Sequence, residues 1–428
     1  YGVKGITMPS EIWAPDGKPH TLRARYLSGP NALMPKKGRG ESGPFVTGDP
    51  CAPGIGDVAV TPNGETAVFY WKFLENAQNL YRVNLTLPLG PEQLLGGFES
   101  GGTGGGDYVT TDGQSIWAVA PNGSSHGWLA EYAENGRNLF LYPPFLYRAD
   151  QKPFGSDNMI RRNVTLTAGL VTGLAAWQAE PTASPLLFVA ERGKMVVVGK
   201  GPHGRLDVYG ESSEERLNVL RVLDGKTAAE ISRIPVVEPT ALVVANDRIY
   251  LMEKRDGGWT VRHAASPPDG KLDVVTWSTP IPLASLRDPR DLAVDSRGYY
   301  YVADPELNQV LRFTPDGKPE KRFGAANAQR GGDYDPNTFM QPIRVACRRD
   351  TAGRETLLIV EDDGPCRIAE WTSNGKLVRD WGYSLSGNGG FAVDPKLPEH
   401  IYLRGANKTF LRYRVNYDSG AWTLEKVW

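Results

Sequence analysis

Leu286-Arg-Asp-Pro-Arg-Asp-Leu-Ala-Val-Asp-Ser-Arg-Gly-Tyr-Tyr-Tyr-Val-Ala-Asp304 contains two short apolar runs joined by the polar turn Asp295-Ser-Arg-Gly298. Each run is too short for a helix, and the turn glycine supplies the positive φ of a tight reversal, so the stretch reads as a β-hairpin. Gln309-Val-Leu-Arg-Phe-Thr-Pro-Asp-Gly-Lys318 adds a third strand closed by a Pro-Asp-Gly turn, and Glu320-Lys-Arg-Phe323 adds a fourth. The same four-part order returns at Pro342 to Cys347, Thr356 to Glu361, Arg367 to Lys376 and Leu377 to Trp381. It returns once more at Gly390 to Asp394, Ile401 to Leu403, Thr409 to Val415 and Trp422 to Val427.

A unit of four short strands buries its faces only by stacking on its neighbours, and such a repeat is the signature of a β-propeller blade. Earlier first strands of this type begin at Asp57, Asp107, Gly173 and Thr240, each followed by an apolar second strand. The seven starts lie roughly 46 to 67 residues apart, the third interval being widened by an extra stretch around Lys194 to Glu215. The expectation is an all-β propeller of four-stranded blades spanning 51–428, with seven blades preferred to six or eight. Residues 1–50 form an N-terminal extension, in which Glu11 to Arg25 carries the third-strand, Pro-Asp-Gly-Lys turn and fourth-strand half of a blade.

Composition agrees with this class. Among 428 residues, 49 Gly and 33 Pro demand frequent turns, while 40% apolar content supplies a core. The 48 Lys+Arg against 49 Asp+Glu leave no basic excess for nucleic acid, and no apolar run is long enough to span a membrane. Cys51, Cys347 and Cys366 have no Cys-x-x-Cys spacing, so one disulfide with a free thiol and three free thiols both stay open.

The pattern Pro289 to Asp304, with Ala-Val-Asp before the turn and Tyr-Val-Ala-Asp after it, resembles the NHL repeat. From about Asp333 onward, Tyr334-Asp-Pro-Asn337, Gly389-Gly-Phe-Ala-Val-Asp-Pro395 and Tyr417-Asp-Ser-Gly-Ala-Trp-Thr-Leu424 resemble large NHL-type propeller proteins of environmental bacteria. The resemblance implies a fold shared by binding platforms, lyases and scaffolds; it implies no single activity. With the chain's start lacking Met, it also points to an extracytoplasmic setting.

In a propeller the residue opening each innermost strand lies at the mouth of the central channel. Here these are Asp57, Asp107, Gly173, Thr240, Asp291, Arg344 and Gly390. Asp57, Asp107 and Asp291 could hold Ca²⁺ with carbonyls and water, or could bind neighbouring amides and lock the blades together. Trp71, Arg192, Arg255, Arg287, Asn308 and Arg404 lie in loops on the same face, the aromatic and guanidinium mixture with which a sugar-binding surface stacks rings and grips hydroxyls or uronates.

Catalytic signals are thin. The five histidines fall in different blades without zinc spacing. In a polysaccharide lyase, His126 would serve as base or acid, Tyr132 as proton donor, and Arg290 or Arg344 would neutralise the uronate. Three functions follow from the sequence: a propeller binding a glycan or protein ligand, a lyase of an acidic glycan, and an interaction module pairing with another chain through its terminal strands.

Overall fold

A computed structural model describes residues 12–13, 19–20, 55–71, 78–86, 92–98, 108–121, 127–133, 138–142, 166–200, 206–216, 218–227, 229–325, 332–361, 367–381, 391–404, 410–418 and 421–428. The architecture is a β-propeller. Among the described residues seven antiparallel sheets follow one another along the chain, each built on a four-stranded meander, and a short ladder pairs Ile12–Trp13 with Pro19–His20.

Sheet 1 holds Ile55–Val60, Thr66–Trp71, Gln78–Asn84 and Glu92–Phe98; sheet 2 holds Tyr108–Thr111, Ser115–Pro121, Gly127–Ala133 and Asn138–Tyr142. Sheet 3 comprises Leu166–Trp177, Leu186–Lys200, Val219–Asp224 and Glu230–Pro235, with Leu206–Arg216 added beside the second strand. Sheet 4 runs through Pro239–Ala245, Arg248–Arg255, Gly258–Ala265 and Ile281–Leu283, and sheet 5 through Asp291–Val294, Tyr300–Asp304, Gln309–Phe313 and Pro319–Phe323. Sheet 6 has Pro342–Arg349, Glu355–Glu361, Ile368–Thr372 and Leu377–Trp381. Sheet 7 has Phe391–Val393, His400–Arg404, Phe410–Asn416 and Ala421–Val427, with Gly332–Asp333 on its far edge.

The seven units match the repeat count, but the ring is closed through six of them. Inner strands touch in the order 1, 2, 3, 4, 5, 6, and that of sheet 6 touches that of sheet 1. Side chains bridge every junction. Asp57 Oδ2 accepts Val109 N–H at 2.8 Å, Thr110 Oγ1 accepts Ala176 N–H at 2.8 Å, and Trp177 Nε1 donates to Asp247 at 3.0 Å. Asn246 donates to the Asp295 carbonyl at 2.9 Å and Asp291 Oδ2 accepts Val345 N–H at 2.9 Å. Arg348 closes the circle, donating to the Gly64 and Leu85 carbonyls at 2.7 and 3.1 Å. Arg348 and Arg379 thus occupy the seam that a seventh blade would have to enter, Arg379 also donating to Leu85 O at 2.8 Å.

Apolar side chains fill the space between adjacent sheets. Tyr301, Val310, Phe323, Phe339, Val345, Ile359 and Trp371 form one cluster between sheets 5 and 6, and Tyr250, Met252, Leu292, Tyr300 and Leu311 another between sheets 4 and 5. Trp117 is fully buried between sheets 2 and 3, its indole donating to the Gly225 carbonyl at 3.1 Å. Large flat rings serve here because facing sheets leave a wide gap that β-branched residues alone do not fill.

Candidate ligand-binding mouth

Six residues share one level at the start of the ring's inner strands. The strands read Asp57-Val-Ala-Val, Tyr108-Val-Thr-Thr, Gly173-Leu-Ala-Ala, Ala241-Leu-Val-Val, Asp291-Leu-Ala-Val and Arg344-Val-Ala-Cys. In sheets 1, 3, 4 and 6 the register shifts by one residue just before this level, between Ile55 and Asp57, Val171 and Gly173, Pro239 and Ala241, and Pro342 and Arg344. A bulge at each of these sites re-aims the next side chain at the rim.

The bulge in sheet 4 corrects one expectation. Thr240 is the extra residue and Ala241 takes the level position. In sheet 2 the position belongs to Tyr108, while Asp107 lies outside the described residues, as do His126 and Gly390. The sequence carried the signal, since each strand opens with one variable residue before a Val or Leu and two further small or β-branched residues.

Arg344 joins the polar half of this ring. Its Nε stands 3.7 Å from Asp57 Oδ1, and its guanidinium carbon lies 4.4 Å from the centre of the Tyr108 ring. Nη1 donates to the carbonyls of Ile343 and Arg290 at 3.1 and 3.4 Å. Asp291 flanks it on the other side, so four consecutive ring members (5, 6, 1 and 2) supply carboxylate, guanidinium, carboxylate and phenol. Burial pushes the Asp57 carboxyl up to about 7; the Arg344 charge opposes the rise and repulsion from Asp291 adds to it. Burial likewise lifts Asp291 to about 6, against Arg344 and the Val345 and Leu292 amides. Near neutral pH this pair can hold a proton, donating through one carboxyl and accepting through the other.

Both carboxylates fasten adjacent sheets of the ring. Asp57 and Asp291 each give one oxygen to the next sheet's amide. Of the three carboxylates expected at a calcium site, Asp57 and Asp291 stand beside the Arg344 cation, and Asp107 lies outside the described residues.

The remaining sequence candidates are scattered, and not all of them lie on the mouth face. Arg290 is exposed and forks onto Asp288 at 2.7 and 3.0 Å, touching Arg344 only through its carbonyl. Arg287 gives its amide to Asp304 at 2.6 Å, and Asn308 accepts Gln341 N–H at 2.9 Å. Arg255 is held by Glu253 at 2.9 Å. Trp71 and Arg192 end or extend second strands at the mouth side, whereas Arg404 belongs to sheet 7. Tyr132 pairs with Ile116 at the level of Thr111, the end of sheet 2 away from Tyr108.

Acids at the ends of second strands are buried fasteners. Glu253 accepts Val237 N–H at 2.8 Å, Asp304 accepts the Arg287 and Asp288 amides, and Glu361 accepts Met340 N–H at 2.9 Å. Each ties down the linker that leads into its own sheet's inner strand. Cys347 is a free thiol raised by burial; Cys51 and Cys366 lie outside the described residues.

No family model matches the chain. Peptidylglycine alpha-amidating monooxygenase of Rattus norvegicus is 32% identical over 102 residues, 23% of this chain and 10% of that protein. The Mus musculus counterpart is 31% identical over the same length and share. The match thus spans about a tenth of either relative. Among solved structures, the RRP9 WD40 repeats align over 93% of this chain and 96% of that one, with 9% identity and a TM-score of 0.44. A gluconolactonase of Xanthomonas campestris aligns over 76% and 86%, with 12% identity and a TM-score of 0.40. The class of this protein, a β-propeller, therefore rests on its own sheet order and ring closure.

Proposed function

We propose that this NHL-type propeller binds a glycan at the channel mouth, on the floor made by Asp291, Arg344, Asp57 and Tyr108. The observation that carries the reading is the buried guanidinium laid on Tyr108 beside Asp57. Carboxyls near their midpoints both give and accept hydrogen bonds, as sugar hydroxyls do, and a guanidinium fork adds directional donors. Binding is favoured over lyase chemistry because Tyr132 lies at the end of its sheet away from Tyr108 and Arg344.

The test is affinity electrophoresis and calorimetry against polygalacturonate, alginate, hyaluronan, xylan and β-glucan. One of these should retard the protein, and Tyr108→Leu and Asp291→Asn should each weaken that binding at least about tenfold with far-ultraviolet circular dichroism unchanged. Indifference to the whole panel, or folded variants that bind as tightly as the parent, would refute the assignment.

A further inference from the structure

Sheet 7 has two unlike faces. Ile401, Leu403, Leu411, Tyr413, Val415 and Leu424 are buried together on one of them. Alternate residues of a strand point to opposite faces, so the register puts His400, Tyr402, Phe410, Arg412 and Arg414 on the other. Phe410 and Trp428 exchange backbone hydrogen bonds at 2.7 and 2.8 Å, which brings Trp428 to this second face as well.

The second face divides into an aromatic end and a cationic end. The rings of Tyr402 and Trp428 stack with centroids 6.3 Å apart and planes 28° from parallel. Phe410 is 56% exposed and Trp428 47% exposed, so two large apolar rings stand side by side in water, where their burial by a ligand would be favourable. At the other end the Glu425 carboxylate gathers Arg414 at 2.6 Å, Arg412 at 3.0 Å and His400 at 3.3 Å. Two guanidinium groups against one carboxylate leave a positive charge over, and Lys426 leaves that balance unaltered because Asp333 pairs with it at 2.9 Å. Arg414 is the exposed member of the cluster. An exposed ion pair contributes little, so Arg414 can turn to an incoming anion while the half-buried Arg412 keeps its hold on Glu425. Tyr334 moors this face to sheet 6: its N–H donates to Glu425 O at 2.7 Å and its hydroxyl accepts from Arg367 at 2.7 Å.

We propose that this face of sheet 7 is a second binding site, for a carboxylate-bearing polysaccharide whose pyranose faces lie on Phe410 and Trp428 and whose uronate carboxylate takes the Arg414 fork. Phe410, Arg412 and Arg414 follow at every second residue, so the aromatic and guanidinium ends lie about 13 Å apart at 3.3 Å per residue, longer than one pyranose ring. A peptide strand fits less well, because it would need backbone partners and Phe410–Asn416 is already paired on both sides. The site shares no residue with the channel mouth and does not depend on the reading given to it.

The experiment is calorimetry with polygalacturonate on the protein carrying Tyr108→Leu and Asp291→Asn, which disable the mouth. The polymer should still bind, and more weakly as salt rises. Adding Arg414→Gln or Phe410→Ser, both at exposed positions, should lower that affinity about fivefold or more with circular dichroism unchanged. No binding by the mouth-disabled protein, or full affinity in both folded variants, overturns the site and leaves the mouth reading untouched. A glutamate–tyrosine copolymer held more tightly than polygalacturonate overturns the glycan assignment in favour of a peptide. If the mouth-disabled protein does not fold, Arg414→Gln and Phe410→Ser in the parent decide, and unchanged affinity and stoichiometry for polygalacturonate overturn the site.

Discussion

Replacing Arg344 by Met would remove the cation between Asp57 and Asp291 while keeping an unbranched side chain over Tyr108. At 3.7 Å and an effective dielectric of about 20, the Arg344–Asp57 attraction is about 4 kcal/mol, in line with the ~3–5 kcal/mol lost when one member of a buried pair is deleted. That loss depends on pH, because it exists only while the carboxyls are charged. Their folded pKa values lie above the unfolded 3.8, so these groups bind protons more tightly when folded. The parent's stability from them is greatest at low pH and falls as pH rises through 6 to 7. Without Arg344 the fall steepens. Denaturant titrations followed by tryptophan fluorescence should show Arg344→Met costing about 4 kcal/mol at alkaline pH and only about 1 kcal/mol near pH 4, the residue of cation–π and packing contacts. An equal cost at both pH values, or a larger one in acid, would refute the assignment of Arg344 as counter-charge to this pair.

Two further outcomes follow from the ring's seams. Gly64 holds φ +71° and a Cβ there would strike the Arg349 carbonyl at the closure of sheets 6 and 1, so Gly64→Ala should cost about 3 kcal/mol or more. Gly257, at φ +79° with nothing within 4 Å, should lose only about 1 kcal/mol on the same change; equal losses in thermal or denaturant unfolding would count against the closure. Arg367 is fully buried and bonds Glu361, Asp380, Tyr334 and the carbonyls of Pro336 and Thr338. Arg367→Met should therefore release sheet 7 first: hydrogen exchange should accelerate at 400–427 before the inner strands of the ring, and uniform acceleration would contradict the mooring.

The four-stranded repeat was legible because it is local. Turn glycines, the Asp-Gly reversals and period-two apolar runs act within a few residues, so the chain by itself determined an all-β fold of seven like units and placed Asp57, Asp291 and Arg344 at strand starts. Even the correct level was present in the Asp291-Leu-Ala-Val pattern, hidden at Thr240 by an extra residue whose bulge depends on the neighbouring strand. Which units enter the ring was not local. Gly390-Phe-Ala-Val repeats the inner-strand pattern, yet the seam is taken by Arg348 and Arg379 reaching carbonyls at Gly64 and Leu85, more than 260 positions away in sequence. The same holds for Glu253, Asp304 and Glu361. An acid after a strand looks solvated in one dimension, and only packing shows that a linker amide is waiting for it in a space closed to water.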